Sequence, residues 1–297
     1  MYHYIRNFNK NLPYFNFLDI KKFKKQNNFF SKQKGFIELN DNLGEVYFKN
    51  KYLLTFDDGL KEQLKAFNIL KEKKIPAIFF ISTMPLIENK ACFVHKFHYV
   101  MEQISFECLY DNVIRIFPDS IQKFHDSEFL KSASLKYVYD KPNCAMVKLY
   151  VNFCLSIDNK SLLIDRLFDM LKIDESGFVE NLYMDNQDIT EIAQEGMLGS
   201  HCITHNPLGE MSAIKIKTEL NNSKSYLSNI TGEEIFSVSY PYGDKKAVTQ
   251  SVLDISRDYY DIGITTQGGI NQNNDLINKK LSLNRISEAE ISKGNYI

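Results

Sequence analysis

Between residues 51 and 82 the chain places an apolar run, a helical spacing and a second apolar run in close succession, and nothing else in it limits the fold as tightly. Lys51-Tyr52-Leu53-Leu54-Thr55-Phe56-Asp57-Asp58-Gly59 reads as a buried strand delivering two carboxylates and a glycine at its C-terminal end. Leu60, Leu64, Phe67 and Leu70 follow at helical spacing on one face. After Pro76, Ala77-Ile78-Phe79-Phe80-Ile81-Ser82 is a second buried-strand run. Strand, helix and strand within about 30 residues make a βαβ unit, and such units build parallel sheets.

The pattern returns after residue 190. Gly196-Met197-Leu198-Gly199-Ser200-His201 is a short strand ending in polar groups, and Leu208, Met211, Ile216, Leu220 and Leu227 mark a helix that Thr231-Gly232 stops. Ile235 to Tyr240 forms a strand that ends at Pro241-Tyr242-Gly243. Residues 246 to 258 suit another helix, and Ile262 to Thr266 another strand. This alternation predicts an α/β layer or barrel with its active site at the strand C-termini. Residues 86 to 185 break the rhythm. Phe97, Val100, Met101 and Ile104, then Leu162, Leu163, Leu167 and Leu171, give them helical patterning, so a largely helical insertion is expected there. Residues 1 to 35, rich in Lys, Asn and Phe, read as an N-terminal extension.

Composition excludes some function classes. Lys plus Arg number 36 against 37 acidic residues, a net charge of −1, so no basic surface for nucleic acid is expected. No apolar stretch approaches the roughly 18 residues that span a bilayer, and the N-terminus lacks the apolar core of a signal peptide. Cys92, Cys108, Cys144, Cys154 and Cys202 have no paired spacing, which suits reduced thiols. A cytoplasmic or peripheral-membrane location follows as the expectation.

Adjacent Asp57 and Asp58 at a strand end are costly to bury without a counter-charge. Alone, Asp-Asp-Gly serves equally well as a turn. His201 and His205, spaced i, i+4 from the end of another expected strand, alter the balance. Two imidazoles and one carboxylate make a three-ligand metal site with positions open to water and substrate.

Three ordered motifs then resemble the polysaccharide deacetylase family, also called the NodB homology or carbohydrate esterase 4 family. Thr55-Phe56-Asp57-Asp58-Gly59 matches its first motif and His201-Cys202-Ile203-Thr204-His205 its second. Ser239-Tyr240-Pro241-Tyr242-Gly243 is similar to the third, in the branch carrying Tyr-Pro-Tyr-Gly. The resemblance covers residues 45 to 95 and 185 to 290. It implies a distorted or incomplete (β/α) barrel over 36 to 290, interrupted by the helical insertion. It also implies roles: Asp57 as general base, Asp58, His201 and His205 as ligands of a divalent metal, and the Tyr242 backbone N–H as a stabiliser of the tetrahedral oxyanion. Zinc is the default ion for such ligands, and cobalt, nickel or iron are accepted by the same set.

Two departures stand out. Ser239 occupies the place where many members have an Arg that orients the base, and no His follows His205 to match a late Leu-x-His motif. Leu283-Asn284-Arg285-Ile286 is the nearest C-terminal counterpart, so Arg285 is expected to replace the missing Arg and pair with Asp57. The general acid is left unassigned; His95 and His98 read first as ordinary helix residues. The implied reaction is removal of an N-acetyl or O-acetyl group from a sugar, with a nucleotide sugar, lipid-linked saccharide or glycan as substrate. A deformylase or amidohydrolase on a small molecule, and a non-catalytic glycan-binding protein on the same fold, are the alternatives. Oligomeric state is not legible.

Overall fold

The computed structural model describes residues 1–8, 17–37, 51–138 and 140–292. The expected start of the resemblance at residue 45 lies outside them. Contacts divide the chain into two compact units, the first comprising Met1–Asn9, Asn16–Lys90 and Ser176–Ile297 and the second built chiefly from Ala91–Glu175.

The first unit is organised around five parallel strands: β3 (Leu54–Phe56), β4 (Ala77–Ile81), β5 (Leu198–Ser200), β6 (Ser237–Ser239) and β7 (Ile262–Ile264), paired in that order. Two shorter strands, β1 (Ile5–Arg6) and β2 (Leu18–Asp19), pair separately. An order that never reverses keeps every crossover on one side, which is barrel winding rather than the doubly wound arrangement. Single parallel bridges extend both edges, Tyr2 beside Phe56 and Leu283 beside Ile264. The two added segments meet, because the Met1 amino group donates to the Ile286 carbonyl at 2.9 Å and the Glu288 N–H to the Met1 carbonyl at 3.2 Å. The result is an incomplete (β/α) barrel whose ends are joined by isolated bridges instead of full strands.

Period-two alternation sorts the strand residues. Leu54, Phe56, Ala77, Phe79, Ile81 and Val238 join the main core. There Phe56 stacks on Phe79 at 4.3 Å between centroids, with Tyr2 and Phe67 against the pair. Helices α1 (Ile20–Gln33), α2 (Leu64–Glu72), α3 (Asn186–Gln194), α4 (Ala213–Thr231) and α5 (Gln250–Ser256) supply the outer side of that core. The opposite strand face carries a small cluster of Ile78, Phe80 and Ile264. Gly199 makes room for it, since a Cβ there would stand 2.5 Å from the Phe80 ring. Above this apolar plug the same alternation brings Asp57, His201 and Ser239 to the C-terminal rim.

Residues 1–8 and 17–35, read from sequence as an extension, contribute Tyr2, Ile5, Leu18, Phe23 and Phe30 to the main core. Leu208 and Met211 were expected within a helix. They precede α4, in and just after a 3₁₀ turn (Leu208–Glu210), because Ser212 caps α4 by accepting from the Lys215 N–H. Gly232 ends α4 at φ 74°, as the sequence indicates.

The second unit is helical among its described residues. Its helices include Phe93–Gln103, Phe106–Ile116, Pro142–Phe153 and Ile157–Leu171. Phe97, Val100, Leu163 and Leu167 are buried as their spacing implies, while Leu162 faces outward at 40% exposure. Buried Lys96 bonds Asp165 at 2.8 Å and Glu175 at 3.0 Å.

Candidate active site

Strand alternation would send consecutive residues to opposite faces, yet Asp57 and Asp58 both serve one rim. The chain achieves this by turning sharply. Asp58 has φ 84° and Gly59 φ 74°, so the second carboxylate swings back toward the barrel mouth. A side chain at Gly59 would also meet Ile81, with its Cβ 3.1 Å from the nearest methyl. Left-handed backbone recurs around the same rim, at Cys202 (φ 60°), His205 (φ 58°) and Tyr242 (φ 62°). Such conformations in non-glycine residues cost about 1–3 kcal/mol each and persist where surrounding structure imposes them.

Asp58, His201 and His205 offer ligand atoms all within 4.8 Å of one another. His201 Nε2 lies 3.4 Å and His205 Nε2 3.1 Å from Asp58 Oδ1. His201 Nδ1 is 2.6 Å from the Ser239 carbonyl. A carbonyl only accepts, so Nδ1 carries a proton, and Nε2, which faces Asp58, is the nitrogen left to bind a metal once its own proton is given up. Burial alone would lower the His201 pKa, but the Asp57 and Asp58 carboxylates outweigh it and raise it. A field that favours a proton there equally favours a metal cation. The donor set therefore fits a divalent ion: two imidazole nitrogens and one carboxylate, converging, buried and in negative surroundings.

Asp57 is held differently. Arg285 NH1 donates to its Oδ1 and NH2 to its Oδ2, both at 2.7 Å, and the Ser239 hydroxyl donates to Oδ2 at 3.2 Å. The guanidinium is itself fixed by Nε donating to the Thr265 carbonyl at 3.0 Å. Burial by itself would raise the Asp57 pKa. The Arg285 guanidinium, then His201 and more weakly His3, outweigh it and hold the carboxyl well below the usual carboxylate range. Tyr242 stands beside the ligands, its ring centroid 5.5 Å from that of His205. All six residues singled out from sequence thus come together on one rim: Asp57, Asp58, His201, His205, Tyr242 and Arg285.

Two residues were not anticipated. Tyr2 bridges Phe56 and stacks on it, which lays the start of the chain along β3, and His3 is among the groups that lower the Asp57 carboxyl. Buried Gln63 locks this arrangement, donating to the Asp57 carbonyl at 2.6 Å and the His3 carbonyl at 2.9 Å. Only recognition that Tyr2 bridges the edge of β3 could have brought His3 forward. Glu219 is the other, on α4, accepting from the turn between His201 and His205.

Residues 164–259 match the family model for Polysaccharide deacetylase, a span holding the second and third motifs. No curated protein sequence matches the chain. Among solved structures, the deacetylase PplD of Streptococcus pyogenes, in complex with acetate, aligns with TM-score 0.56 and 18% identity, over 96% of this chain and 88% of that one. IcaB from Ammonifex degensii aligns with TM-score 0.56 and 14% identity, over 99% of this chain and 92% of its own. The polysaccharide deacetylase BC0361 from Bacillus cereus gives 0.54 and 15%, over 96% of this chain and 62% of that one. At such identities the likeness establishes the fold, an α/β part-barrel shared with deacetylase structures.

Proposed function

We propose that this chain is a metal-dependent member of the polysaccharide deacetylase family that hydrolyses the N-acetyl or O-acetyl group of a sugar in a saccharide or its precursor. One observation carries the reading: Asp58, His201 and His205 converge as a ligand set beside a second carboxylate, Asp57, clamped by Arg285. Two buried carboxylates against one buried guanidinium leave negative charge that a divalent ion neutralises.

When bound, such an ion polarises the acyl carbonyl and makes water a better nucleophile near neutral pH. The remaining work belongs to the chain. Asp57, kept ionised, takes the proton of the attacking water. Its Oδ2 accepts from both Arg285 and Ser239, which fills its two lone pairs, whereas Oδ1 accepts one Arg285 bond. Oδ1 is accordingly the atom that receives the proton. The Tyr242 N–H, on left-handed backbone at the rim, faces the developing oxyanion, and the Tyr242 ring forms part of the sugar groove. His3, whose carbonyl shares the Gln63 amide with that of Asp57, is our candidate for the general acid that protonates the departing amine or alcohol, the role the C-terminal segment leaves open.

Acetate release from N-acetylated sugars, nucleotide sugars and short glycans tests this, with metal-loaded wild type run beside Asp57→Asn, His201→Ala and His3→Gln. Release lost in the first two variants supports the hydrolase. Formate release, or turnover of non-sugar amides alone, moves the substrate assignment to a small-molecule amidohydrolase. No turnover by a wild type that binds one metal and retains glycan affinity leaves a carbohydrate-binding protein.

A further inference from the structure

The turn joining the two candidate histidine ligands is gripped from two sides. It needs holding, because Cys202 and His205 both adopt left-handed backbone without being glycine. From the end of β4, the Thr83 and Met84 N–H groups donate to the Cys202 and Ile203 carbonyls, each at 3.0 Å. From α4, the Ser223 hydroxyl donates to the Cys202 carbonyl at 3.0 Å. One helical turn earlier on the same face stands Glu219, 6% exposed. Its Oε2 accepts from the Ile203 N–H at 2.8 Å and the Thr204 N–H at 3.0 Å, and its Oε1 from the Thr204 hydroxyl at 2.7 Å.

These bonds have a consequence for the rim. Ile203 and Thr204 are the two residues between Cys202 and His205, so their N–H directions set where His205 emerges relative to His201. A glutamate buried against neutral donors is expensive unless every lone pair it presents is used. Here three donors converge on one carboxylate and fix two consecutive residues of the turn, Ile203 and Thr204.

We infer that Glu219 is a positioning residue for the metal centre proposed above, on which this inference rests. Its carboxylate presets the spacing of the His201 and His205 imidazoles toward Asp58 before any ion arrives. It touches neither substrate nor reacting atoms and acts through the turn.

Co2+ titration of the full chain after chelator treatment, followed by its visible absorption, tests the assignment without reference to turnover. Glu219→Ala is expected to bind Co2+ about 10–100-fold more weakly than wild type, the usual effect of losing an outer partner of metal ligands. Glu219→Gln is expected to restore binding close to wild type. Its amide oxygen can accept both N–H bonds, and its NH2 can donate to the Thr204 hydroxyl. Co2+ bound equally tightly by Glu219→Ala overturns the inference, and a Gln variant as weak as Ala overturns the hydrogen-bond account of it. Should Glu219→Ala fail to fold, Thr204→Val and Ser223→Ala each remove one strut, and unchanged affinity in both would refute the idea. A wild type that takes up no Co2+ removes the metal centre itself, an outcome distinct from these.

Discussion

The Arg285–Asp57 pair invites the most exacting test, because it is buried, bidentate and separable from the metal ligands. Their side chains are 5% and 2% exposed. At an effective dielectric of about 20, opposite charges some 4 Å apart attract by about 4 kcal/mol. Deleting one member leaves the other buried and unanswered, which costs about 3–5 kcal/mol. Arg285→Met, matched in length but uncharged, should therefore lower the melting temperature of metal-free protein by about 6–20 °C for a unit near 200 residues. Arg285→Met combined with Asp57→Asn should recover most of that loss, giving a large coupling in the double-mutant cycle. The effect has a defined pH dependence. In wild type the folded pKa of Asp57 is depressed, so its contribution is present above the unfolded value near 3.9 and is lost only as pH falls through the folded value. In Arg285→Met burial acts without the guanidinium and raises the carboxyl. The sign then reverses, and stability is lost as pH rises through that raised value. The gap between the two proteins should thus be widest near neutrality and narrow toward pH 4. Urea unfolding of the metal-free proteins at both pH values measures it. A loss below about 1 kcal/mol at pH 7, or an equal loss at both pH values, would refute the reasoning.

Further outcomes follow from the same geometry. Zn2+ or Co2+ at about a thousand times its dissociation constant should stabilise wild type by about 4 kcal/mol and leave His201→Ala unmoved, as read by thermal shift with and without chelator. Gly199→Ala should destabilise by about 1–3 kcal/mol through the clash with Phe80, and Phe80→Leu in the same chain should relieve part of it; additive losses in denaturant melts would argue against the packing account. His3→Gln should lower kcat about 10²–10⁴-fold while Co2+ affinity stays at the wild-type value. Weakened metal binding would instead make His3 a ligand.

The elements nearest the chemistry were legible because the patterns that form them are local. Phe56 before two carboxylates, Ala77 to Ile81, and the i, i+4 spacing of His201 and His205 each announce a strand end in a short window. The helices of the second unit were legible for the same reason, although the outward-facing Leu162 shows that a spacing tolerant of both three and four residues blurs which face is buried. The stopping of α4 at Gly232 needed only the left-handed preference of glycine.

What the sequence alone determined, then, is the set of groups that can do chemistry: Asp57, Asp58, His201 and His205 at strand ends of a parallel α/β unit, with Tyr242 and Arg285 as candidate companions. Tertiary structure decided how they are partnered. Arg285 stands 228 residues from Asp57, and the guanidinium reaches it because a single bridge from Leu283 lays the last segment beside β7. The start of the chain reaches the site because Tyr2 bridges Phe56 at the end of β3, a pairing that so short a segment does not reveal locally. Glu219 looks like any polar helix residue until α4 packs against the turn after β5. Long-range pairing across a barrel is set by which edges close on which, and that depends on the packing of Phe56, Phe79 and Phe80 rather than on any window of the chain.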